Sequence, residues 1–132
     1  MNKRILLADD EAALRFLLHE TLSDEGYQIR EAEDGAEAVR HLESEGFDLV
    51  ILDYMMPEKT GVEVCQWLRQ AGDNPNRNIP VILLTAKALE KDRDIARASG
   101  VSTYIVKPFS PFKLLEAVEE LISLPGQEVG PQ

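Results

Sequence analysis

Residues 49–61 read Leu-Val-Ile-Leu-Asp-Tyr-Met-Met-Pro-Glu-Lys-Thr-Gly. The opening run Leu49-Val50-Ile51-Leu52 is too short for a helix. Its continuous apolar character suits a strand covered on both faces, as in a parallel sheet. The run stops at Asp53, and Pro57 and Gly61 then mark a loop. A buried strand that delivers a carboxylate at its end frames the reading of the rest of the chain.

Working outward, Ile5-Leu6-Leu7-Ala8, Val81-Ile82-Leu83-Leu84 and Tyr104-Ile105-Val106 repeat the pattern. Residues 27–32 differ: Tyr27, Ile29 and Glu31 alternate with Gln28, Arg30 and Ala32, the pattern of an edge strand. Helical spacing fills the gaps, with Leu14, Leu17, Leu18 and Leu22, then Ala36, Val39 and Leu42, then Val64, Cys65 and Leu68. The last helix carries Leu114, Leu115, Val118, Leu121 and Ile122. Gly26, Gly46, Gly72 and Gly100 stand where helices should stop in a left-handed cap. Asp34 with Glu37 predicts a capping box, and Ser110-Pro111 a helix start.

Strand and helix thus alternate five times. The pattern predicts an α/β fold, a three-layer, doubly wound, five-stranded parallel sheet in the flavodoxin-like order 2-1-3-4-5. One domain over 1–124 accounts for it. The tail 125–132 has no apolar period and is expected to be a disordered end or the start of a linker.

The 132 residues suit one domain, and 44% apolar with 29% charged residues is a globular balance. With Cys65 alone, no internal disulfide can form, which fits a reducing compartment. The basic start and short apolar run lack the length of a secretory signal, and no run approaches a membrane span. A cytoplasmic protein off the membrane is expected. The net charge of −10 leaves no basic footprint, so the chain is not expected to bind nucleic acid by itself.

In open parallel sheets, ligands bind beyond the carboxyl ends of the strands. Those ends carry Asp9-Asp10, Asp53, Thr85-Ala86 and Lys107-Pro108. The proposed strand order brings them together. Three clustered carboxylates would not all stay ionised at neutral pH without a cation, and Mg²⁺, a hard ion that takes carboxylates, waters and phosphate oxygens, resolves the conflict. Lys107 can hold a carboxylate or phosphate oxygen, and Thr85 can donate its hydroxyl. Positioning plus charge stabilisation is most of what phosphoryl transfer needs.

In order, spacing and strand position, these residues resemble the response-regulator receiver domains of two-component signalling. Residues 53–61 look like the loop after that family's phosphoacceptor, and the likeness runs from Lys3 to about Leu124. The resemblance implies that Asp53 is phosphorylated and also binds Mg²⁺. It implies that Asp10 is a direct metal ligand, Asp9 acts mainly through water, and Met55 offers its backbone carbonyl. Thr85 would bind the phosphoryl group, Lys107 would contact Asp53 and then the phosphoryl group, and Lys107-Pro108 would be cis. Thr85 and Tyr104 match the family's switch pair.

The implied donor is a histidine kinase or a histidine phosphotransfer protein. The implied output is a downstream protein target or an effector domain beyond this sequence. The output surface would be formed by a charged helix over 87–99, the strand at 104–106 and the last helix. A phosphorylation-dependent dimer through that face is one form of output. The implied class is a regulatory phosphoacceptor, not an enzyme, beyond self-phosphotransfer and slow autodephosphorylation.

Plainer readings stand beside these. Asp9-Asp10 also suits the start of the first helix, Thr85 suits any strand, and Tyr104 suits amphipathic packing. His19 and His41 lack companion ligands and are expected to face solvent. Cys65 is expected in the core, and Met56 and Trp67 carry no chemical message. Met55 and Lys87 would line the route to the phosphoryl group. The helix over 87–99 has few large apolar residues, chiefly Leu89 and Ile95, and is expected to pack weakly. A phosphohydrolase with an aspartyl nucleophile would want an acid at position 55. A flavin site would want a Ser/Thr-rich loop where Asp9-Asp10-Glu11 would repel phosphate.

Overall fold

The computed structural model describes residues 2–86, 94–95 and 97–123. Five strands, β1 (Arg4–Ala8), β2 (Gln28–Ala32), β3 (Leu49–Asp53), β4 (Val81–Thr85) and β5 (Thr103–Val106), form one parallel sheet. Its order is β2-β1-β3-β4-β5, as the edge pattern of residues 27–32 predicts. The helices α1 (Ala12–Ser23), α2 (Gly35–Ser44), α3 (Gly61–Arg69) and α5 (Pro111–Ser123) cover its faces. Of the helix α4 expected over 87–99, residues 94, 95, 97 and 98 are described and are helical. All four are exposed, Ile95 among them, and Ser99 after them is buried; the rest of that helix, 87–93 and 96, lies outside the described residues, as does the tail 125–132.

Strand residues alternate between two cores because successive side chains point to opposite faces. Leu6, Ala8, Val50, Leu52, Val81 and Leu83 pack with Ala38 and Leu42 of α2 and Val64, Cys65 and Leu68 of α3. Ile5, Leu7, Leu49, Ile51, Ile82, Leu84 and Ile105 pack with Leu18 and Leu22 of α1 and Leu114 and Val118 of α5. Each Val, Leu and Ile among them contributes about 1.5–3 kcal/mol by leaving water. The central strands therefore need apolar residues at every position, which produces the uninterrupted runs in the sequence.

Three local expectations are corrected. Leu17 is 47% exposed, although it shares a helical pattern with Leu14, Leu18 and Leu22. It lies about 100° around the helix from the stripe that the other three define, so α1 buries a narrow line. The α1 N-cap is Glu11 without a side-chain bond, not an aspartate of the Asp9-Asp10 pair. Gly46 does not adopt the left-handed conformation seen at Gly26, Gly72 and Gly100.

The end of α2 is closed instead by a residue from far along the chain. Asn76, 1% exposed, donates from Nδ2 to the carbonyls of Leu42 (2.9 Å) and Glu45 (2.7 Å). Its Oδ1 accepts from the Phe47 amide at 2.8 Å. One amide side chain thus satisfies two helix-end carbonyls and the Phe47 amide two residues beyond them, the work a glycine cap would do.

The histidines also depart from expectation. His19 is half-buried against Glu31, and His41 stands 3.4 Å from Glu45 and 3.8 Å from Glu37. Among the described residues no helix is long and apolar enough to cross a membrane.

Candidate functional site

The parallel register sets the site. Ala8 pairs with Leu52, so Asp9 and Asp53 follow side by side from β1 and β3. Asp53 pairs with Leu84, and Thr85 with Val106, which brings the end of β4 beside Lys107. The Lys107 amide donates to the Thr85 carbonyl at 2.7 Å, and the Lys107–Pro108 bond is cis, as the resemblance implies.

The loop after Asp53 is held tightly. The Tyr54 amide donates to Leu84 and the Gly61 amide to Tyr54. A Cβ on Gly61 would stand 2.4 Å from the Asp53 carbonyl oxygen, so only glycine lets α3 start so close to the strand end. A full capping box, Thr60 with Glu63, fixes that start. At Asp34 only half of the expected box forms. Its side chain accepts from the Glu37 amide at 2.8 Å, while the Glu37 carboxylate accepts from the Glu33 amide.

Carboxylate oxygens of Asp9, Asp10 and Asp53 all lie within 4.8 Å of one another. Asp9 and Asp53 are buried and Asp10 is exposed. Lys107 Nζ sits 2.9 Å from Asp53 Oδ1 and 3.9 Å from Asp9 Oδ2. Asp9 Oδ1 accepts from the Glu11 amide at 2.8 Å, but its buried Oδ2 has no hydrogen-bond partner among the described residues.

Electrostatics follow from that arrangement. Burial pushes the Asp9 carboxyl up to about 6; the Glu11 amide opposes this, and the neighbouring Asp53 adds to it. Burial also raises Asp53, against the opposing hydrogen bond and charge of Lys107. Burial alone would lower the Lys107 ammonium, yet its bond to Asp53 and the charges of Asp53 and Asp9 hold it above its ordinary value. Three carboxylates with one lysine leave excess negative charge and one unsatisfied oxygen. This donor set fits a hard divalent cation, which takes oxygen ligands and neutralises such clusters.

The other expected residues lie around this centre. Thr85, at the end of β4, is 4% exposed. Met55 is two residues past Asp53 with its side chain 62% exposed, while Met56 is buried in the core between α2 and α3. Tyr104 is half-buried on the edge strand β5 and packs against that same core. Cys65 is buried there too, as expected. A groove of about 430 Å³, lined by Glu11, Leu14, Ala86, Lys107, Pro108 and Phe109, opens beside the lysine.

Two residues around the site escaped the sequence reading. Arg15 Nη1 donates to the Asp9 carbonyl at 2.7 Å, and its Nε donates to Glu31 Oε1 at 2.7 Å. Arg15 lies one helical turn into α1, and Glu31 alternates onto one face of β2. No local pattern links them, because their meeting depends on how α1 lies across the sheet.

A five-stranded parallel sheet with an acidic triad and a lysine at its carboxyl edge defines a receiver module. Residues 5–119 match the response regulator receiver domain family, and the chain belongs to it. It is 39% identical over 122 residues to the alkaline phosphatase synthesis transcriptional regulatory protein PhoP of Bacillus subtilis, covering 92% of this chain and 49% of that protein. It is 41% identical over 124 residues to the transcriptional regulatory protein ResD of the same organism, covering 94% and 50%. The chain thus spans about half the length of these curated relatives. Among solved structures it resembles the receiver domain of the sensor histidine kinase PA1611 of Pseudomonas aeruginosa PAO1, which has a magnesium ion coordinated in its active site cleft. The TM-score is 0.84 at 30% identity, over 94% of this chain and 100% of that one. The chain is therefore a signalling domain of two-component response regulators.

Proposed function

We propose that this receiver domain is a phosphoacceptor switch in which Asp53 takes a phosphoryl group from a phosphohistidine on a histidine kinase or a histidine phosphotransfer protein. The observation that carries the reading is the set of Asp9, Asp10 and Asp53 oxygens within 4.8 Å, with Lys107 Nζ 2.9 Å from Asp53. An Asp53 oxygen attacks phosphorus, the phosphorus–nitrogen bond breaks, and the imidazole leaves. The product is an acyl phosphate on Asp53.

Asp10 and Asp53 would hold Mg²⁺ directly, with Asp9 mainly through water and the Met55 backbone carbonyl as a further ligand. Bound there, the metal supplies charge neutralisation for the incoming phosphoryl oxygens. The magnesium described for the PA1611 receiver supports this assignment. Lys107 exchanges its Asp53 oxygen for a phosphoryl oxygen, and Thr85 donates its hydroxyl to another. Charge gained at Asp53 then favours a state in which Thr85 moves toward the phosphoryl group and Tyr104 turns further inward. This shifts the surface formed by α4, β5 and α5.

The output is a downstream protein target, a dimer through that surface, or an effector domain in a longer protein. The relatives' full lengths support the last of these. The working location is the cytoplasm. The activity is regulatory, limited to self-phosphotransfer and slow autodephosphorylation.

The test is incubation with a small acyl phosphate and Mg²⁺, read by intact mass. One hydroxylamine-labile phosphoryl group should appear, and Asp53→Asn should abolish it, because an amide is a far poorer nucleophile than a carboxylate. Modification that survives the substitution would overturn the assignment.

A further inference from the structure

Asp9 and Asp53 are placed by burial, but Asp10 is exposed. Its position depends on the backbone that carries it. The Asp9 carbonyl and the Asp10 amide belong to one planar unit, so holding that carbonyl orients the start of Asp10. Arg15 holds it, donating from Nη1 at 2.7 Å.

We propose that Arg15 is a positioning residue for the cation site, clamping the Asp9–Asp10 peptide from α1 while Glu31 on β2 clamps Arg15. The inference rests on the metal reading above. Nε and Nη1 lie in one rigid guanidinium plane, so anchoring Nε on Glu31 Oε1 at 2.7 Å also aims Nη1. His19 Nδ1 engages the other Glu31 oxygen, so both oxygens are occupied. The Arg15 side chain is only 13% exposed.

Glu31 has a second effect. Its carboxylate neutralises a guanidinium that would otherwise repel a cation bound next door. Arg15 and Glu31 hold Asp9 burial and Asp10 exposure in one frame, as outer groups do for metal ligands elsewhere. A lysine at position 15 can reach for the carbonyl or for Glu31, but it has no rigid pair of donors to serve both.

If the pair only staples α1 to β2, its loss lowers stability and leaves metal affinity unchanged in the folded protein. If it positions Asp10, affinity falls. Mg²⁺ titrations of the labelled protein, followed by amide shifts, separate the two, with urea unfolding in EDTA run alongside. Arg15→Met keeps the apolar stem and should raise the Mg²⁺ dissociation constant about ten- to hundredfold. Arg15→Lys should recover part of that loss. Glu31→Gln keeps an oxygen for Nε and should raise the constant by less than Arg15→Met.

Constants within about twofold of wild type in Arg15→Lys and Glu31→Gln would overturn the inference, whether or not Arg15→Met folds. A wild-type protein with no saturable Mg²⁺ response that Asp10→Ala removes would instead defeat the metal reading, and this inference with it.

Discussion

Lys107 reaches across β4 to donate to Asp53 on β3, at 2.9 Å from Nζ to Oδ1. It is the one ammonium that meets the acidic cluster among the described residues. Removing the cation and removing an anion should therefore move stability in opposite directions. In EDTA near neutral pH, Lys107→Met should destabilise the fold by about 1.5–3 kcal/mol, the worth of a charged hydrogen bond. Asp53→Asn should be neutral or stabilising there, since it relieves like-charge repulsion. Urea midpoints compare the two, and a stabilising Lys107→Met would refute the charge balance described here.

Asp9 gives the site a pH dependence. Its folded value of about 6 lies above its ordinary 3.8, so between roughly pH 4 and 6 the native state binds more protons than the unfolded chain. The contribution of Asp9 to metal-free stability is thus full below about pH 4 and lost as pH rises through 6. Two units correspond to at most about 3 kcal/mol. Mg²⁺ should remove this penalty, so the rise in Tm on adding Mg²⁺ should be larger at pH 8 than at pH 5. An equal rise at both would count against proton–metal competition at Asp9.

Gly61 is bound to the site by sterics. Gly61→Ala places a methyl 2.4 Å from the Asp53 carbonyl and 2.8 Å from Leu83 Cδ1. It should cost about 1–3 kcal/mol as overpacking does, although alanine is the better helix former. Acceptance of phosphate from a small acyl phosphate should slow with it. A stabilised Gly61→Ala protein would mean that α3 shifts freely against the strand end.

Thr85 should relay the phosphorylation signal. Beryllofluoride, a phosphoryl mimic, should shift the amides of β5 and of residues 94–98 in the wild type. Thr85→Ala should still bind the mimic at Asp53 while those shifts shrink. Equal shifts in both proteins would exclude Thr85 as the relay.

Cys65 is fully buried, and burial pushes its thiol up to about 11, so almost no thiolate exists at pH 8. Iodoacetamide should leave the native protein unmodified and label it stoichiometrically in urea. Native-state labelling at the unfolded rate would show that α3 opens from the sheet.

The sheet was legible because burial on both faces demands continuous apolar runs, and because such runs end where chemistry begins. Asp53 and Lys107 stand out as charges closing apolar strands. Leu17 misled because leucines at helical spacing look alike until the sheet selects one stripe. Asn76 was illegible for another reason: the Asp73-Asn74-Pro75-Asn76 turn reads as a loop, and nothing local says that it reaches back to Leu42, Glu45 and Phe47. Arg15 and Glu31 are the same case, a contact made only after α1 lies across β2.

The strand order also sets a timetable for a chain made from its N-terminus. Asp9, Asp10 and Asp53 emerge from the ribosome by the end of β3, and β1 and β3 are direct neighbours in the sheet. Lys107 emerges more than fifty residues later, beyond β5. A nascent chain that pairs those two strands early gathers its acids before their internal counterion exists. If the acidic cluster holds Mg²⁺ as proposed, that ion would stand in for Lys107 until the rest of the chain is made.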